Sequence, residues 1–262
     1  MRTIAVVNHK GGVGKTAVSM SLAERLHSMG YKTLLIDLDQ QLNATHAAEV
    51  KTSGVVTVYD LLVSPDWDVR DGIQQYQHGD IIAGDILVCN AESEMTRLDT
   101  PLTMLTDALE EIEDEYDFCI IDCPPSLGYV TRNAMVAADT LIIVVMPDGA
   151  SIDGFGKCVE VMSKIRENKH LNPGLEISGV LINGYDPRGI LDREVDQALV
   201  NLAEHAGTRV FDTRIRKCVK VRQAQSKHIA LHDFDADCTS AIDFTNFTNE
   251  FLAHEKIGEK EE

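Results

Sequence analysis

Three glycines, two lysines and a hydroxyl are crowded into Asn8-His9-Lys10-Gly11-Gly12-Val13-Gly14-Lys15-Thr16. Groups of these types hold phosphate. Gly11, Gly12 and Gly14 can take backbone angles denied to other residues, so that successive N–H groups, those of Val13 and Ala17 included, close on phosphate oxygens. Lys15 is placed to reach the β- and γ-phosphates of a nucleotide, and the Thr16 hydroxyl to ligate Mg²⁺. Carboxylates for such a metal recur further on. Asp37 and Asp39 close one apolar run, and Asp122 closes another ahead of Cys123-Pro124-Pro125. A carboxylate delivered at the C-terminal end of a buried strand is suited to holding Mg²⁺ or its waters.

The elements around these residues place them together. Residues 3–7 are a β-branched run suited to a buried strand, and Val18, Leu22, Leu26 and Met29 recur at helical spacing. The glycines therefore sit at a strand-to-helix turn, with the positive end of the helix dipole behind any bound anion. Gly30 fits the position just past that helix, and 32–39 a second buried strand. Asp37 and Asp39 both reach the phosphate site only if this strand terminates between them. Strands are further expected at 86–89, 118–122, 140–146, 175–183 and 209–211. Helices are expected within 55–62, from Asp99 through the apolar positions 102, 105, 109 and 112, and at 127–138, 151–165 and 238–252. Ile242, Phe244, Phe247 and Phe251 supply packing for the last helix. The acids at 110–115 read as a solvated face. Strands alternating with helices predict an α/β fold, a mostly parallel central sheet flanked by helices on both faces. A single domain over 1–254 is expected, followed by a frayed charged tail at 255–262.

Bulk composition narrows the partners. The 262 residues are 44% apolar and carry a formal charge of −18, so the molecule as a whole repels polyanions. Against that background, 214–227 holds six basic residues and no acid. A nucleic-acid backbone is the natural partner for such a cluster. The six cysteines are scattered without a CxxC pair, which argues against a zinc site and a disulfide framework. With no apolar run approaching a membrane span, the chain is expected in the cytoplasm.

The string Lys10-Gly-Gly-Val-Gly-Lys-Thr16 resembles the deviant Walker A motif of the partition ATPases of the ParA and MinD superfamily. Ile120-Ile121-Asp122-Cys123-Pro124-Pro125-Ser126 is similar to that family's Walker B string. Asp37-Leu38-Asp39 and the following Asn43-Ala44-Thr45 keep the family's frame, with Gln40 and Leu42 where the family has Pro and Gly. The resemblance implies a P-loop NTPase fold and slow, partner-stimulated hydrolysis of ATP with Mg²⁺. It also implies a homodimer in the ATP state, in which Lys10 crosses to the phosphates bound by the other subunit. By the same resemblance Asp39 orients the attacking water, and Thr16, Asp37 and Asp122 serve the metal. Asn183 and Asp186 lie where the family recognises adenine. The basic segment contributes nonspecific contacts to double-stranded DNA, with Arg188, Arg214, Arg216, Lys217, Lys220 and Arg222 as the contacting set. A ParB-like centromere-binding partner and nucleoid association complete the expectation, in plasmid or chromosome partition. A ParA-like switch that positions another cargo stays open, because cargo is chosen by the partner. A MinD-type membrane regulator would end in an amphipathic helix, and 254–262 has no apolar stripe. Pro147-Asp148-Gly149 stands where the family carries a Gln or Glu, and no site role is expected there.

Overall fold

A computed structural model describes residues 1–257. In chain order the elements are β1 (Arg2–Val7), α1 (Lys15–Ser28), β2 (Thr33–Asp37), α2 (Asn43–Ala47), α3 (Val58–Val63), β3 (Ile73–Tyr76), β4 (Gly79–Ile82), α4 (Val88–Met95), α5 (Met104–Glu110) and β5 (Phe118–Asp122). They continue with α6 (Tyr129–Ala137), β6 (Thr140–Val145), α7 (Gly149–Glu167), β7 (Glu176–Tyr185), α8 (Ile190–His205), β8 (Ile215–Arg216), α9 (Val219–Gln225), α10 (Leu231–Asp235) and α11 (Thr239–Glu255). The strands form one sheet in the order β3-β4-β2-β5-β1-β6-β7-β8. Every pairing is parallel except the β3–β4 hairpin at one edge.

Side chains on β1 alternate between two apolar layers, as strand geometry requires. Ala5 and Val7 pack with the layer containing α3 to α8, and Ile4 and Val6 with the layer containing α1 and α11. Because β1 lies between β5 and β6, its C-terminal end opens into the crevice where the strand order reverses. Ligands of open α/β sheets bind in that position. Gly30, at φ 86°, ends α1 as its pattern predicts. No helix among the described residues is long and apolar enough to cross a membrane.

Four expectations need correction. No strand forms at 86–89. The place beside β2 is taken by β4, and Asp85 turns the chain instead by accepting from the Leu87 N–H at 2.8 Å, which leaves Ile86 66% exposed at the entry to α4. The expected strand at 209–211 is reduced to one bridge, Val180 to Val210. There Phe211 turns inward, with its ring 4.9 Å edge-on from Phe247, and the next two N–H groups are taken by the Glu250 carboxylate. Ile242 faces solvent, while Phe244, Phe247 and Phe251 are buried. The tail does not begin at 255. Glu255 closes α11 with its carboxylate accepting from Arg2 and from the Ser178 hydroxyl at 2.8 Å. The rest of the expected tail, 258–262, lies outside the described residues.

Candidate nucleotide site

The loop between β1 and α1 is fixed from below. Asn8 is buried, donates from Nδ2 to the Val144 carbonyl at 2.6 Å and accepts the Lys10 N–H on Oδ1 at 2.8 Å. Gly12 and Gly14 adopt φ of 76° and 94°, which other residues rarely take, whereas Gly11 does not need that freedom. Gly14 is also required for space, because a Cβ there would stand 2.1 Å from Nδ2 of Asn183. Asn183 donates from that nitrogen to the Val13 carbonyl at 2.7 Å, so it braces the loop from the end of β7.

Two cavities run together around this loop. One, of about 540 Å³, is lined by Gly11, Lys15, Thr16, Asp39 and Pro125. The other, of about 810 Å³, shares Gly12, Gly14 and Ala17 with it and extends along Asn183, Asp186 and Arg188 to Lys217. The first has the phosphate-binding groups, and the second is a cleft between the ends of β7 and β8.

The three expected acids converge from neighbouring strand ends. β2 stops at Asp37, which leaves Asp39 on a loop that lines the same cavity as Lys15. Asp37 and Asp122 are register partners across β2 and β5, and both are fully buried. Asp37 is held by the Thr45 N–H at 2.9 Å, the Thr45 hydroxyl at 2.7 Å and the Asp39 N–H at 3.1 Å. Asp122 accepts from the Ser19 hydroxyl at 3.1 Å on Oδ1, while its buried Oδ2 has no partner. Burial pushes both carboxyls above their usual range. At Asp122 the neighbouring Asp37 charge adds to that push, against the opposing pull of Thr16, Lys15 and Ser19. A buried carboxylate oxygen without a donor, beside a second acid and a threonine hydroxyl, fits a hard divalent cation. Thr16 and Asp122 are the residues that would hold it, with Asp37 next to them.

The loop lysines are both engaged within the chain. Lys15 is buried and donates from Nζ to the Lys10 carbonyl at 3.3 Å. Lys10 donates from Nζ to Asp148 Oδ2 at 2.6 Å. Asp148 also caps α7 by accepting the Ser151 N–H at 2.9 Å. Burial raises its pKa, but the Lys10 ammonium and the Ser151 N–H outweigh this and hold it below the ordinary value. Sequence reasoning gave Asp148 no role. The signal was present in Asp148-Gly-Ala-Ser151, a helix-capping pattern that fixes a carboxylate at a strand-to-helix turn. Ser19 and Thr45 were given no role from sequence, although Thr45 lies in the quoted frame; their hydroxyls donate to Asp122 and Asp37 respectively.

The expected DNA-contacting set divides. Arg214 is committed to Asp196 through two hydrogen bonds of 2.7 and 3.0 Å, and Arg216 to Asp243 through bonds as short as 2.7 Å. Lys220 pairs with Asp235 at 3.2 Å. These three residues organise the fold between α8, β8, α10 and α11. Arg188 is 91% exposed beside Asp186, and Lys217 and Arg222 are exposed with no ion pair among the described residues. Leu42, where glycine was noted as absent, takes the left-handed conformation itself at φ 56°.

Residues 1–177 match the family model described as AAA domain (AAA_31). The sporulation initiation inhibitor protein Soj of Bacillus subtilis is 36% identical over 237 residues, 88% of this chain and 91% of that protein. The chromosome partitioning protein ParA of Caulobacter vibrioides is 31% identical over 260 residues, 98% of this chain and 96% of that protein. Among solved structures, cobyrinic acid a,c-diamide synthase of Mycobacterium smegmatis with bound ADP and magnesium superimposes with a TM-score of 0.83 at 27% identity, covering 98% of this chain and 96% of that one. With the deviant Lys10 and Lys15 on one phosphate loop, two acids at the end of β2 and a third at the end of β5, the chain belongs to the ParA/Soj family of P-loop ATPases.

Proposed function

We propose that this chain is a partition ATPase that binds ATP with Mg²⁺, closes into a dimer around the nucleotide and then holds DNA without sequence preference. The observation that carries this reading is the convergence of Lys15, Thr16 and Asp39 on one cavity, with the unpartnered oxygen of Asp122 behind Thr16. Lys15 turns from its own loop carbonyl to the β- and γ-phosphates, and the N–H groups of Gly11 to Ala17 hold the phosphate chain. Mg²⁺ bound there would neutralise charge developing on the β- and γ-phosphates. Thr16 and Asp122 would hold it, with Asp37 beside Asp122 across the strand pair. Asp39 orients the attacking water. Asn183, whose nitrogen braces the loop, and Asp186 line the cleft that takes the base.

Lys10 leaves Asp148 and reaches the phosphates of the other subunit, so the intact site is completed by two chains. Lys217 and Arg222, with Arg188 on the rim of the same cleft, then form the DNA-facing set. A ParB-like partner accelerates hydrolysis and resets the cycle. The similarity to Soj and to a chromosome partitioning ParA supports the partition role, and the ADP and magnesium of the structural relative support the ligands.

The test is DNA binding with ATP, ADP or no nucleotide over a range of salt. Tight, salt-sensitive binding with ATP alone is expected, since phosphate contacts release counterions. Binding independent of nucleotide would refute the coupling.

A further inference from the structure

Away from the nucleotide cavities, Glu24 on α1, His78 in the β3–β4 turn and Asp233 on α10 bring one donor atom each within 4.8 Å of one another. His78 Nε2 lies 2.8 Å from Asp233 Oδ2. Glu24 is buried, at 4% exposure. A fourth group faces it. The His232 side chain is only 10% exposed, and its Nδ1 stands 3.2 Å from Glu24 Oε1 yet makes no hydrogen bond.

The tautomer of His232 is fixed by its other nitrogen. Nε2 lies 3.0 Å from the Ala241 carbonyl, which can only accept, so Nε2 carries the proton. Thr245, the second neighbour of Nε2, donates its own hydroxyl to that same carbonyl. In the neutral ring Nδ1 therefore presents a lone pair to a buried carboxylate. Two electron-rich atoms in that position require a cation, either a proton on Nδ1 or a metal ion, between or beside them.

We propose that Glu24, His78 and Asp233 bind a divalent first-row transition-metal ion, with His232 Nδ1 as the adjacent fourth donor. Two imidazoles and two carboxylates suit Zn²⁺ and its neighbours and not Mg²⁺, which prefers oxygen ligands alone. Around a tetrahedral Zn²⁺ the donor atoms stand about 3.4 Å apart, so the cluster needs movements of about 1 Å. Cysteine spacing says nothing about such a site, because no thiol takes part. The ion would join α1, which begins at Lys15, to the β3–β4 turn and to α10. Helix α10 in turn holds the basic helix α9 through Lys220 to Asp235 at 3.2 Å and Lys227 over the Phe234 ring at 5.1 Å.

The experiment uses tag-free full-length protein, stripped by a chelator and returned to buffer with excess Mg²⁺. Co²⁺ serves as the spectroscopic probe and Zn²⁺ as competitor. One equivalent of Co²⁺ per chain is expected, with visible absorption of low-symmetry coordination that Zn²⁺ abolishes and a melting temperature that Zn²⁺ raises. His78→Ala, at an irregular turn, should lose both responses while keeping ATP hydrolysis, and His232→Ala should weaken binding about 10–100-fold. Absence of stoichiometric binding in the wild type, or equal binding by His78→Ala, would overturn the site. So would a wild-type melting temperature that ignores added metal.

Discussion

Asp148→Asn isolates the Lys10 contact. Asparagine caps a helix about as well as aspartate, so α7 keeps its N-cap while the charge facing Lys10 is removed. The two side chains are 32% and 36% exposed, and ion pairs of that kind contribute about 0.2–1 kcal/mol. A dimer that recruits both Lys10 side chains must break two such pairs, about 0.4–2 kcal/mol in total. Removing them should tighten the ATP-state dimer by about 2–30-fold. Sedimentation equilibrium with a nonhydrolysable ATP analogue measures this directly. The gain should shrink as salt rises, because the lost pair is screened. A dimerisation constant that is unchanged or weaker in Asp148→Asn, at low salt, would refute the idea that Asp148 restrains Lys10 before the subunits meet.

Lys15→Ala should abolish ATP binding by calorimetry, since among the described residues no other Lys or Arg lines the smaller cavity. Arg216→Ala should act on the fold and not on DNA. It removes several charge-assisted hydrogen bonds to Asp243, whose side chain is 8% exposed, and should cost about 2 kcal/mol, or about 4–8 °C in melting temperature by calorimetry. Changing Lys217 and Arg222 together to Ala should leave the melting temperature unchanged and lower the slope of log affinity against log salt by about 1.8 per subunit. Asp122→Asn should flatten the pH dependence of stability in the nucleotide-free protein. A carboxyl raised from 3.8 to about 8 favours the folded state at low pH and loses that contribution as pH rises through 8. The variant should therefore gain most over the wild type at the alkaline end, by denaturant unfolding at pH 6 and pH 8.

The chemistry was legible where it is local. Asp39 and Asp122 follow short apolar runs that end at the crevice, and Lys15 and Thr16 open the helix that follows β1 into the same crevice. The β3–β4 hairpin was not legible, because Ile73-Gln-Gln-Tyr76 and Gly79-Asp-Ile-Ile82 are too short and too polar to stand out. Its turn depends on Gly79 at φ 120°, where a Cβ would strike Thr33. The basic segment reads as one patch in sequence, but the acids that neutralise Arg214 and Arg216 come from α8 and α11, 18 and 27 residues away. Charge counted along a chain cannot see partners supplied by its neighbours in space. Asp148 was missed for a related reason: its capping role is local, whereas its contact with Lys10 spans 138 residues.

Arg2, Ser178 and Glu255 form a clasp that draws the start of β1 and the end of α11 to the same side of the sheet. That side is the one opposite the crevice, because β1 runs from Arg2 toward the phosphate loop. The start of β1 and the last turn of α11 therefore lie away from the face that the proposed dimer would share. Loss of the clasp, by Glu255→Gln, should loosen α11 from the sheet without touching the crevice.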